Sequence, residues 1–249
     1  MKIIWKFDSK DIATVKEFFN RHKDNPFVKV RIATNLKDDK TPLTKKLFWN
    51  AMIGCLLTTQ QRSGPNSAVS RFISTKPFLL RLELCREQND LAYFVTDVLT
   101  TFGALRRATT IGREAGENMA FLENGGWRTT FEELEKVRLN PGRETERHAA
   151  RFVDERFKGF GPKQSRNLLQ WLGLSCFEIP IDSRITKWLN QIGFPMRLTA
   201  NALSDRSYFE FVSDGFQELA KACGIIPCVL DAAIFASFDS DGWTENNVF

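Results

Sequence analysis

Two side chains stand out for what their types and spacing can do together. Lys163 closes the run Gly159-Phe160-Gly161-Pro162-Lys163, and Asp182 ends Pro180-Ile181-Asp182, nineteen residues later. A lysine must shed its proton to act as an amine nucleophile, and partial burial lowers its pKa. A neighbouring carboxylate accepts that proton, or steadies a cation developing on a sugar. The same residues also fit plainer roles. Lys163 suits a phosphate contact, the two suit an ion pair, and Asp182 suits the N-cap of a helix starting at Ser183.

The elements around the pair favour an anion-binding turn. Residues 144–156 are charged and helical, and 164–172 form an amphipathic helix. Between them, Gly159 and Gly161 allow a tight turn with exposed N–H groups, and Phe160 plugs the space between the helices. Those groups sit at the N-terminus of the next helix, where the dipole favours negative charge. Pro162 fits the first turn, where its missing N–H costs little. This helix-hairpin-helix pattern suits a DNA phosphate, held without reading bases. After the second helix and a loop the chain doubles back, which lets Lys163 and Asp182 face one cleft.

The rest of the chain reads mainly as short helices, over 11–19, 47–57, 66–73, 91–102, 110–119, 130–137, 183–192, 209–222 and 227–238. Thr130 and Glu133 fit a capping box for the sixth of these. Residues 27–33 alternate apolar and charged side chains, which predicts a short N-terminal β element. The fold class is therefore mainly α. Residues 58–65, Thr-Thr-Gln-Gln-Arg-Ser-Gly-Pro, break the apolar helix before them.

Residues 157–190 resemble the core of the helix-hairpin-helix DNA glycosylase superfamily, which contains endonuclease III and 8-oxoguanine DNA glycosylases. That family carries Gly-x-Gly-x-Lys, then Pro/Val-x-Asp some 18–20 residues on. Members with the lysine remove a base and then cut the strand, so the resemblance implies a bifunctional DNA glycosylase/AP lyase with Lys163 and Asp182 as catalytic residues. A monofunctional glycosylase, with Asp182 activating water, and a non-catalytic DNA-binding module are the alternatives. Leu56-Leu57-Thr58-Thr59-Gln60-Gln61 resembles the helix end whose polar residue fills the gap left by the flipped base. Carried over, Gln60 is that residue, with Gln61 and Arg62 beside it. Gly159, Phe160, Gly161 and Arg166 complete the DNA-binding set, and Lys158 is a further phosphate candidate. The family's fold implies two lobes: a central one over 47–174, and a second formed by 1–46 plus 175–249. Duplex DNA with a damaged or modified base is the implied partner, and a monomer the implied state.

Departures narrow the resemblance. The cluster-bearing branch has four cysteines after the aspartate, whereas only Cys223 and Cys228 follow Asp182 here. That points to the cluster-free 8-oxoguanine branches. Residues 229–235, Val-Leu-Asp-Ala-Ala-Ile-Phe, also resemble the final helix of the smaller prokaryotic enzymes. Five scattered cysteines without a CxxC, and two histidines, supply no usual zinc or iron–sulfur spacing, so no metal or cofactor is expected.

Composition sets the remaining bounds. The 249 residues carry a net charge of +5, with 43% hydrophobic and 26% charged residues, which excludes collagen, a disordered tail and a coiled coil. No apolar run is long enough to span a bilayer, and the charged N-terminus is not a signal peptide, so a cytoplasmic, nucleoid-associated location is expected. The charge is uneven: residues 1–46 are basic and 191–249 acidic. The acidic end is expected to face away from DNA.

Overall fold

A computed structural model describes residues 3–37, 41–239 and 242–244. Thirteen α-helices run through them in order: α1 (Ser9–His22), α2 (Pro26–Asn35), α3 (Lys45–Leu57), α4 (Ala68–Ser74), α5 (Leu82–Arg86), α6 (Leu91–Phe102), α7 (Ala108–Phe121), α8 (Trp127–Leu139), α9 (Arg143–Arg156), α10 (Pro162–Trp171), α11 (Ser183–Gln191), α12 (Arg206–Cys223) and α13 (Pro227–Ser237). No strand occurs among the described residues.

The caps explain where several helices begin. Asp8 takes the amides of Lys10 and Asp11, each at 2.8 Å, and Asp11 returns the favour to Asp8 N, which starts α1. Asn25 accepts from Phe27 N, and Pro26 occupies the first turn of α2. This start signal overrides the alternation over 27–33. The expected β element is instead a helix, with Val28 and Asn35 buried seven residues apart on one face. The capping box at Thr130 and Glu133 is also not formed. The chain kinks at Asn124 and Gly125, α8 begins at Trp127, and Thr130 lies fully buried inside it.

Helix α3 is apolar all round, and nine of its residues are buried, so it is a central core element. One core cluster draws every buried member from between Phe48 and Leu174. A second joins Val15 of α1 to residues from Ile179 to Ile234. A third packs Val28 of α2 against Cys228, Val229, Ala232 and Ala233 of α13. The N-terminal helices thus pack on the C-terminal ones, while the hairpin belongs with α3. Among the described residues no single helix is long and apolar enough to cross a membrane.

Candidate active site

The hairpin between α9 and α10 is set by sterics. Gly159 has φ +81°, and a Cβ there would lie 2.6 Å from Glu114 Oε2 of α7. Asn118 of α7 clamps the turn, donating to Lys158 O at 3.0 Å and accepting from Lys158 N at 2.7 Å. Phe160 is buried against Phe157. Nothing lies within 4 Å of a Cβ built on Gly161. Pro162 then opens α10, whose first-turn amides have no intrahelical partner, so the turn presents N–H groups beside open space.

Lys163 follows in that first turn. It lines a cleft of about 220 Å³ together with Asp182, Asp231, Arg31, Gln170 and Trp171. Its Nζ is 3.3 Å from Gln164 Oε1. Burial holds its pKa below the ordinary lysine value, while Asp182, Cys55 and Asp231 pull the other way. Asp182 sits at the start of α11 and serves two purposes. Its Oδ1 accepts from Arg184 N (2.8 Å) and Ile185 N (3.2 Å), so it caps the helix. Its Oδ2 is 3.5 Å from Arg184 Nη1. The cap fixes the carboxylate's direction, and a buried lysine and a partly exposed carboxylate line the same cleft.

The path from Lys163 to Asp182 is held by a buried polar network. Glu146 of α9 accepts from the amides of Cys176, Phe177 and Glu178 at 2.8–2.9 Å. Burial pushes its pKa up to about 8, against the pull of those three N–H groups. Glu178 is fully buried and accepts from Arg147, Arg166 and Gln217. Arg166 was expected at the DNA surface. It is instead fully buried, paired with Glu178 and stacked 4.7 Å over the Phe209 ring, which leaves it no route to a phosphate.

The end of α3 is fastened to the start of α10. Gln164 Nε2 donates to Cys55 O at 2.7 Å and to Thr59 Oγ1, and Asn167 Nδ2 reaches Thr58 Oγ1 at 3.3 Å. Beyond this latch, Gln60 is exposed with φ +56°. Gln61, expected beside it as a DNA contact, is spent inside the protein: it donates to Leu57 O and accepts from Arg106 N. Arg62 is exposed and pairs with Asp239 at 2.8 Å.

Asp231, which falls within the 229–235 resemblance but was assigned no role there, lines the same cleft. It lies in the apolar helix α13, is 5% exposed, and accepts from Gln170 Nε2 at 3.0 Å. Burial raises its pKa to about 6, with Arg31, Gln170 and Lys163 pulling it back. The available signal was a single carboxylate among Val229, Leu230, Ala232 and Ala233. The acidic C-terminal segment therefore does not all face away from the cleft. Asp231 lines it, and Asp239 contacts both Arg62 and Arg184.

No family model and no curated protein sequence matches the chain. Solved structures do. The 8-oxoguanine DNA glycosylase of Methanocaldococcus jannaschii matches with TM-score 0.68 and 13% identity, over 95% of this chain and 98% of that one. The 8-oxoguanine DNA glycosylase of Thermotoga maritima matches with TM-score 0.68 and 14% identity, over 94% and 100%. The M. jannaschii glycosylase/lyase in complex with a 15mer DNA containing 8-oxoguanine matches with TM-score 0.68 and 13% identity, over 93% and 100%. With the hairpin and the all-helical arrangement already in place, these matches show that the chain has the fold of the helix-hairpin-helix 8-oxoguanine DNA glycosylases.

Proposed function

We propose that the chain is a DNA glycosylase with AP lyase activity that excises an oxidised base, 8-oxoguanine being the first to test, from duplex DNA. The observation that supports this reading is the placement of a desolvated Lys163 and a capped Asp182 on one cleft, at the end of a hairpin built for a phosphate. A flipped nucleotide costs a few kcal/mol to extrude, and Gln60, exposed beyond the α3–α10 latch, is the proposed gap-filler.

Lys163 acts as the neutral amine. Its Nζ bonds to C1′ as the glycosidic C–N bond breaks, and the base leaves with a proton. Asp182 offsets the positive charge developing on the sugar. The sugar ring opens to an imine, C2′ loses a proton, and the C3′–O bond breaks, which cuts the strand on the 3′ side. Water then releases Lys163. Arg62, Lys158 and the amides around Gly159 and Gly161 are the proposed backbone contacts.

Borohydride reduces a lysine imine to a permanent cross-link. With an 8-oxoguanine duplex we expect a trapped band that Lys163→Gln abolishes. Alkali-sensitive sites without a trapped band would instead select a monofunctional enzyme in which Asp182 activates water. Binding without base loss from any altered duplex would leave a non-catalytic DNA-binding module.

A further inference from the structure

The two cysteines nearest in sequence, Cys223 and Cys228, are not the pair that the fold brings together. Cys223 belongs to the core around Val15, and Cys228 to the cluster around Val28, where Cys176 packs against it. Cys176 and Cys228 stand fifty-two positions apart in the chain. Even so, Cys228 N donates to Cys176 O at 3.0 Å, and the two thiols are hydrogen-bonded to each other. A backbone N–H···O=C link of this kind sets the two Cα atoms roughly 5–6 Å apart, inside the range that a disulfide spans. Cys176 is held in place from two further sides. Its N–H donates to Glu146 Oε1 at 2.9 Å, and its Sγ to Asn35 O at 3.2 Å. It is half-buried, whereas Cys228 is fully buried in the first turn of α13. The excision chemistry uses neither thiol.

We propose that Cys176 and Cys228 form a redox pair that a peroxide closes to a disulfide and a dithiol reopens. Cys176, the half-exposed sulfur, gives up its proton and attacks a peroxide oxygen. An S–O bond forms, the O–O bond breaks, and the leaving hydroxide takes up that proton as water. The Cys228 sulfur then attacks the sulfenic sulfur. The S–S bond forms, the S–O bond breaks, and a second water leaves with the Cys228 proton. Two thiols lose two electrons, and one peroxide becomes two waters. The order follows from the surroundings: the hydrogen bond with Cys176, and then burial, push the Cys228 thiol up, so it keeps its proton until the sulfenic acid is beside it. The other three cysteines are buried, and burial pushes Cys55 and Cys85 up to about 12, so the pair reacts ahead of them. The new bond joins the turn that leads into Asp182 to the helix that carries Asp231, and so braces two walls of the cleft. None of this depends on the base-excision reading.

The test treats the full chain with hydrogen peroxide, quenches it and alkylates the remaining thiols. Peptide mass mapping locates any cross-link, and melting curves are taken before and after reduction with dithiothreitol. We expect one cross-link, Cys176 to Cys228, that dithiothreitol opens. Closing a loop of this length should raise Tm by roughly 5–10 °C in the oxidised chain. Cys176→Ala and Cys228→Ala should show neither the cross-link nor the rise, while Cys223→Ala keeps both. Cys228→Ala empties space in a packed core, so Cys176→Ala, at a half-buried position, is the variant that holds the test if the other fails to fold. A Cys176 carried on to sulfinic acid with Cys228 still open to alkylation would overturn the proposal. So would a cross-link between another pair, or thiols that peroxide leaves unchanged. A Tm that fails to rise on oxidation also overturns it, because the bond would then distort the fold instead of fitting it.

Discussion

Lys163 is held between two opposed forces. Burial strips water from its ammonium and favours the amine, while Asp182 and Asp231 favour the proton, and burial is the larger. In the proposed function the deprotonated Lys163 is the nucleophile, so trapping on abasic DNA should rise with pH through a midpoint below the ordinary lysine value. Asp182→Asn removes the stronger of the two carboxylate effects. Its midpoint should move lower still, even as its maximal rate falls; a midpoint that moves up would sink the assignment. Asp231 makes the opposite kind of statement, about stability. Its folded pKa of about 6 lies above the ordinary 3.8, so folding takes up a proton between these values. Stability contributed by that proton is full below the lower value and is lost as pH rises through the upper one. The shift amounts to a cost of roughly 3 kcal/mol at neutral pH. Asp231→Asn should therefore raise the melting temperature at pH 8, with the gain fading towards pH 4. No difference between the two pH values would mean that the carboxylate is not desolvated. At this scale Lys163 and Asp182 were legible because their motifs bracket one helix. Asp231 was not, because its meaning comes from Gln170, sixty-one positions away in the chain.

The hairpin shows how an element can be legible while its supports are not. Glycine spacing and Pro162 locate the turn in the sequence, but Glu114 and Asn118, which pin it, come from another helix. The two glycines play different parts, and substitution should separate them. Gly159→Ala meets a positive φ and a neighbour at 2.6 Å, so it should cost about 2–3 kcal/mol in chemical denaturation. Gly161 has φ −120° and open space beside it, so Gly161→Ala should leave stability within about 0.5 kcal/mol. It should still weaken duplex binding, because the new methyl group stands where a phosphate would approach. Equal stability losses would refute the distinction. Helix α2 shows the reverse failure. Alternating residues over 27–33 read as a strand, yet the Asn25 cap and Pro26 fix the first turn, and tertiary packing on α13 does the rest. Arg166 failed for a related reason: an arginine in a basic segment looks like surface charge until its burial partner Glu178 is known.

At the scale of the whole molecule the charge map bears on DNA. The chain is net positive, but its last 59 residues are acidic, and one of those acids, Asp239, contacts Arg184 in the cleft lining. Asp239 touches Arg62 at 2.8 Å and Arg184 at 3.7 Å, and so occupies two cations beside the loop that carries Gln60. In the proposed function a backbone phosphate competes with that carboxylate for Arg62, which is largely exposed and has a flexible stem. Each cation that engages a phosphate releases condensed counterions and steepens the salt dependence of binding by about 0.9 on a log–log scale. In a Lys163→Gln background, which prevents turnover, Asp239→Asn should free Arg62 and steepen that slope by about 1. Affinity should rise several-fold at low salt and converge with the parent at high salt, where counterion release contributes least. The comparison uses one duplex over a salt series, read by anisotropy. A slope that does not change would mean that Arg62 meets no phosphate and that its pairing with Asp239 only ties the chain's end to the loop. The near-isosteric substitution keeps the position of residue 239 beside Gly64, so a change in slope reports charge and not a lost contact.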